Sequence, residues 1–231
     1  MNQHSVEDIL TRLESLGDSE AVEGMRRFGI RTTRALGISI PQLQQMARDI
    51  GTQHALALAL WKSGVHEAQI LACLIDDPGK VTEQQMEGWV RDFDSWDLCD
   101  QCCSKLFDRT PVAYQKAKEW AVREEEFVKR AGFVLMATLA VHDKKAPDSA
   151  FLDFFPLIEQ EAGDARNYVK KAVNWALRQI GKRNPALHPR CITLAKRIKQ
   201  QDSPAARWVA ADALRELTSE KIRQRVQAKH T

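Results

Sequence analysis

The chain has 231 residues, enough for one large domain or two small ones with a buried core. Hydrophobic residues make up 44% and charged residues 28%, an ordinary globular composition; 11 Gly and 8 Pro suit helices better than a sheet-rich fold, and a net charge of +3 is too small to prove a polyanion partner. The opening stretch MNQHSVEDILTRLESLGDSE is amphipathic and acidic, with no signal-peptide core, and no apolar run reaches the ~18 residues of a transmembrane helix. A cytoplasmic protein with its five cysteines reduced is therefore expected.

Helical periodicity runs through the sequence, and no hairpin signal or period-2 run bounded by turn residues interrupts it. Breaks fall at IPQL (40–43), SGVHEA (63–68), DDPGK (76–80), TPVA (110–113), HDKKAPDS (142–149), GKRNPALHPR (181–190) and DSPAA (202–206). Two of the helix starts carry capping chemistry. Thr82 and Gln85 have the spacing of a capping box, and Asp202-Ser203-Pro204 sets a capping side chain before a first-turn proline.

Internal repetition decides the fold class. EFVKRAGFVLMATLA from Glu126 and NYVKKAVNWALRQIG from Asn167 share a Val-Lys-(Arg/Lys)-Ala core at an offset of 41 residues. A fainter copy places Trp208-Val209 40 residues after Tyr168-Val169, and HEAQILACLID from His66 reads as a degenerate earlier member. Helix-pair repeats of roughly 40 residues predict an all-α, HEAT- or armadillo-like superhelix. We expect a single domain over 1–231, with N-terminal helices over 1–60, repeats over about 61–220, a tail at 221–231, and a concave basic face built from the second helix of each pair.

On a helical projection of 168–182, Val169, Ala172, Val173, Ala176, Leu177 and Ile180 form the core stripe. Lys171, Trp175, Arg178 and Lys182 gather on the opposite side. From Asp164 to Arg183, six Lys or Arg, including Lys170 and Arg183, stand against one Asp. Such a face is either a solvated surface whose Trp is covered by Lys and Arg stems, or a grip for nucleic acid.

The stretch DSWDLCDQCCSKLF (94–107) invites a metal or redox reading. Laid on a helix, Leu98, Cys102 and Leu106 share one side, with Cys99 at its margin, so two of the three thiols are core residues. Trp96, Asp100, Cys103 and Phe107 share the other. Cys99-x-x-Cys102 has half the spacing of a zinc site, but no second CxxC or His pair completes it, and the βαβ context of a redox CxxC is missing. No metal or cofactor is expected. His66 and His142 read as loop or core residues rather than catalysts. Asp100 either bonds a nearby backbone N–H or lysine, or is a carboxylate held for use.

With FGIRTTRALGISIPQL, HEAQILA, WDLCD, FVKRAGF and NYVKKAVNWALRQIGKRNP taken together, the chain resembles the AlkD-like DNA alkylation repair family over roughly residues 25–220. These are HEAT-like-repeat DNA glycosylases that excise alkylated purines. The resemblance implies that Trp96 and Asp100 are active-site residues, that Trp175 is the second active-site Trp, and that Arg130 is a catalytic-cleft Arg. It also implies that Lys171 and Arg178 line the DNA-binding face, with Lys170, Lys182 and Arg183 in the same basic patch. An aromatic near the N-terminus, Phe28, stands where some members use one. Double-stranded DNA with alkylated bases is the implied partner of a monomer, met in the cytoplasm where DNA lies. The alternatives are a non-catalytic HEAT-like protein that recognises damaged or branched DNA, and a protein-interaction scaffold.

Overall fold

The computed structural model describes residues 5–30 and 33–228. Among the described residues there is no strand; α-helices follow one another through two compact units, the first ending at Thr110 and the second beginning at Pro111. The first unit holds α1 (Val6–Ser15), α2 (Ser19–Arg27), α3 (Ile40–Ile50), α4 (His54–Lys62), α5 (His66–Ile75), α6 (Glu83–Arg91) and α7 (Trp96–Lys105). The second holds α8 (Ala113–Ala121), α9 (Glu126–His142), α10 (Asp148–Leu152), α11 (Phe155–Glu161), α12 (Asn167–Gly181), α13 (Leu187–Ile198), α14 (Pro204–Leu217) and α15 (Glu220–Gln227). The segment expected as a tail is thus helical through Gln227, because Ile222 and Val226, one turn apart, both find buried positions.

Helix starts follow local chemistry. Ser5 and Asp8 close a capping box on α1, with Asp8 N–H donating to Ser5 Oγ at 3.0 Å. Ser203 Oγ accepts from Ala206 N–H at 3.3 Å just before Pro204, as DSPAA predicts. At α6 only half of the expected box forms. Thr82 Oγ1 accepts from Gln85 N–H at 3.1 Å, but the Gln85 amide turns away to Asp76 Oδ2 at 2.6 Å. The buried Asp76 carboxylate, which also takes His54 Nδ1 at 2.6 Å, is the stronger acceptor.

Pairing is regular within each unit. In the first, α5 packs against α3, α4 and α7; in the second, α12 lies against both α9 and α14. The second-unit partners start at Glu126, Asn167 and Pro204, close to the period of roughly 40. In the first unit the repeat is shorter. Trp61 Nε1 donates to Asp92 Oδ2 at 2.8 Å and His66 Nε2 meets Asp97 Oδ2 at 2.8 Å, both across 31 residues. The 41-residue offset of the VK(R/K)A copies therefore does not extend to HEAQILA, whose neighbouring helices are only nine or ten residues long.

The first-unit core centres on Trp61 stacked on Trp89, with ring centroids 4.0 Å apart, and on Phe93 and Phe107. The second is built on Trp120, Phe133, Phe151 and Phe154. Its tightest seam lies where Gly132 of α9 meets the end of α8: a Cβ there would sit 2.5 Å from Ala121 N. Backbone offers no rotamer escape, so Gly132→Ala is expected to lower stability by about 1–3 kcal/mol, read as a drop in the thermal unfolding midpoint.

Candidate functional site

In the first unit, α7 buries Leu98, Cys99, Cys102 and Cys103 and leaves Trp96 and Asp100, one turn apart, half-buried. Two members of the expected outer side are missing from it. Cys103 is buried, and so is Phe107, because the helix ends at Lys105 and a 3-10 turn (Phe107–Arg109) folds that ring in beside Trp89 and Phe93. All three cysteines of the stretch, not two, are core residues. Burial pushes the Cys102 thiol well up, with Cys73 as its hydrogen-bonding neighbour, and burial next to Cys99 does the same to Cys103. Protonated thiols are poor nucleophiles and poor ligands. No group of three or more potential metal ligands occurs among the described residues.

The indole of Trp96 is oriented by a bond that sequence spacing does not reveal. Its Nε1–H donates to the Phe28 carbonyl oxygen at 3.0 Å, while the Phe28 ring is 73% exposed. An open aromatic ring and the indole are thus joined through the backbone at the end of α2. The Asp100 charge is felt by the neighbouring Cys103 thiol.

The start of α7 is held by a buried pair, His66 and Asp97, which was not read as a unit from the sequence. Burial alone would depress His66, but the hydrogen bond and charge of Asp97, with Glu67 and Asp94 adding, raise its pKa above 6.5. Burial likewise opposes ionisation of Asp97, yet His66 and Ser95 hold its pKa below 3.8. Next to it, Glu67 accepts from the N–H groups of Leu36, Gly37 and Ile38, so α5 ties both that loop and α7 in place. The signal available was modest: His66 opens a helix at the SGVHEA break, and Asp97 lies in the first turn of α7.

In the second unit, α12 divides as projected. Val169, Ala172, Val173, Ala176, Leu177 and Ile180 are buried, Trp175 is half-buried and Lys171 is exposed. Trp61, Trp89 and Trp120 are 4%, 5% and 0% exposed, so Trp96 and Trp175 are set apart from the structural tryptophans. Arg130 is 6% exposed and donates from Nη1 to the Tyr168 carbonyl at 2.6 Å, which fixes it across the α9–α12 seam.

The basic patch is more nearly balanced than the sequence indicates. Arg178 and Lys182 both bind Glu216 of α14, Lys182 at 2.5 Å, and Arg178 Nε lies 3.7 Å from Asp212. Burial would raise Glu216, but the two cations outweigh it and lower its pKa. Lys170 covers the Trp208 ring at 4.9 Å. Arg183 donates to the Ala140 and Ala146 carbonyls at 3.1 and 3.0 Å and lies 4.3 Å over the Phe151 ring. The countercharges come from a helix more than thirty residues downstream, which a single-helix projection does not include. The structure thus sets Trp96 with Asp100 on α7 of the first unit, and Trp175 with Lys171, Arg178 and Lys182 on α12 of the second.

An all-α chain of regularly paired helices defines a helical-repeat protein of the HEAT-like type. More particularly, the chain belongs to the DNA alkylation repair enzyme family, which it matches over residues 9–217. In fold it is similar, at a TM-score of 0.74 and 19% identity, to a solved protein from a family related to the HEAT-like repeat DNA glycosylases with affinity for branched DNA structures. That likeness covers 92% of this chain and 95% of the other. The uncharacterized protein Lin0241 of Listeria innocua serovar 6a is 23% identical over 192 residues, which span 81% of this chain and 84% of the relative. No helix among the described residues is long and apolar enough to cross a membrane.

The buried pair sets a pH signature. The raised His66 contributes stability below pH 6.5 that is lost as pH rises through its folded pKa. The lowered Asp97 contributes stability above pH 3.8 that is lost as pH falls through its folded pKa. The pair is therefore expected to stabilise most between about pH 4 and 6.5. Asp97→Asn should cost about 3 kcal/mol within that window and flatten the pH dependence of urea unfolding on its alkaline side.

Proposed function

We propose that the protein is a DNA repair glycosylase that hydrolyses the N-glycosidic bond of cationic N3- or N7-alkylated purines. What carries this reading is the half-buried Asp100 one turn after the half-buried Trp96, on a helix that otherwise buries its apolar side chains in the core. Membership of the DNA alkylation repair enzyme family supports it.

The chemistry needs little more than these groups. An alkylated purine already carries positive charge, so cleavage of the bond to the sugar returns the electron pair to the base and neutralises it. Cationic character then moves to the sugar ring. Asp100 supplies the opposing charge and accepts or orients the proton of the water that adds to the sugar carbon. Indole faces attract a cationic base or sugar, the role proposed for Trp96 and, on the family resemblance, for Trp175, with Arg130 as the proposed cleft Arg. On the basic helix, Lys171 is the exposed phosphate ligand, while Arg178 and Lys182 exchange their hold on Glu216 for the DNA backbone. In this reading the protein acts as a monomer on double-stranded DNA, without a metal.

Release of 7-methylguanine and 3-methyladenine from methylated duplex DNA tests the proposal. Wild type should release base, and Asp100→Asn should be slower by about 100-fold or more. Equal rates for the two proteins would remove Asp100 from the mechanism, and no release by wild type would reject the activity.

A second reading is favoured by one observation, the likeness to the solved protein whose family has affinity for branched DNA structures. Here the same basic helix grips branched or damaged DNA and no bond is cut. It predicts junction affinity that falls with salt and with Lys171→Ala, with no base appearing in solution.

A further inference from the structure

The second unit contains a cationic cavity of about 310 Å³ at the C-terminal ends of α9 and α12, to which α15 adds Arg225. Lys144, Lys182, Arg183 and Arg225 line it together with Gln179, and no carboxylate does. We propose that this cavity is a phosphate subsite that holds one backbone phosphate of duplex DNA, outside the residues that act on the lesion. The inference rests on the DNA-binding reading above and extends it to a site contributed by a helix beyond the family match, which stops at residue 217.

Four cations from three segments converge with one sign of charge. Arg183 is preset: its guanidinium is held by the Ala140 and Ala146 carbonyls and by the Phe151 ring, so its position does not depend on ligand. Lys182 leans to Glu216 from the cavity wall. Lys144, in the loop after α9, and Arg225, on α15, are exposed and reach in from separate elements. Cations at the ends of α9 and α12 do complement those helix termini. That accounts for Lys182 and Arg183, and Arg225 likewise stands in the last turn of α15, but it does not account for the convergence of these cations with Lys144 on one cavity. Mixed Lys and Arg donors converging on one cavity suit a phosphate rather than a neutral or cationic group.

The position of the cavity selects the source of the phosphate. Lys182 and Gln179 continue the side of α12 that carries Lys171 and Trp175. Lys171 to Lys182 spans about 16 Å of helix, the axial rise of about five phosphates along one strand of B-DNA. A strand that follows this side of α12 reaches the cavity at its end, so the subsite would fix the register of the backbone.

The test is fluorescence anisotropy of a labelled undamaged duplex, read against salt, with wild type, Lys144→Ala/Arg225→Ala and a Lys171→Ala control. Both cavity residues changed are exposed, and unchanged far-UV circular dichroism and unfolding midpoint will verify folding. The double variant should bind about tenfold more weakly, with the slope of log K against log salt reduced by about 1. Wild-type and Lys171-dependent binding with no change in the double variant would overturn the subsite and leave DNA binding standing. No duplex binding by wild type would overturn both the subsite and the reading on which it rests. Parallel calorimetry with inorganic phosphate or pyrophosphate separates the source: binding that is lost in the double variant while duplex affinity holds would assign the cavity to a free anion and overturn the DNA assignment.

Discussion

Within each unit, every second helix of a pair must bury one side against the second helix of the next pair, and the remaining side is all that is left for function. On α12 the constraint is explicit. Val169, Ala172, Val173, Ala176, Leu177 and Ile180 are committed to the core between α9 and α14, so Lys171 and Trp175 lie where they do by exclusion. Polar groups caught in the seams find partners across them, as Asn174 does with the Val209 carbonyl at 3.0 Å and Arg130 with that of Tyr168. The same constraint makes repeat-equivalent residues diverge. Lys129 is buried against Glu161 at 2.6 Å, with Asp164 at 3.7 Å, whereas its counterpart Lys170 lies over Trp208.

In the first unit the seam between α5 and α7 has a charged fastening. His66 and Asp97 are both shielded from solvent, and each keeps the other ionised against the cost of burial. Because Asp97 adjoins Trp96 and precedes Asp100 by less than a turn, this pair fixes the start of the helix that carries both. The orientation of Trp96 is set separately by the Phe28 carbonyl, so the indole has its own anchor beside the one that fixes the helix start.

The all-α fold, the helix-pair repeat of the second unit and the placing of Trp175 off the core stripe of α12 were legible in the sequence, because helical periodicity is a property of a single segment. Two features were not. The shorter repeat of the first unit, where α4 and α6 start 29 residues apart and α5 and α7 start 30 apart, lacks a shared motif and emerges only from the helices themselves. The neutralisation of Arg178 and Lys182 by Glu216 depends on α14, whose residues no projection of α12 includes. Cys103 and Phe107 were misplaced for a related reason: the projection assumed a helix through Phe107, but α7 ends at Lys105 and the chain turns inward.

The central claim is that the Asp100 carboxylate, held on α7 beside Trp96, steadies a sugar cation. A transition-state mimic addresses it directly. The measurement is the affinity for a duplex carrying a cationic pyrrolidine abasic analogue against one carrying the neutral tetrahydrofuran analogue, for wild type and Asp100→Asn. The account predicts a preference for the cationic analogue in wild type that disappears in the variant. Equal affinity of wild type for the two duplexes, or a preference that survives in Asp100→Asn, would contradict it.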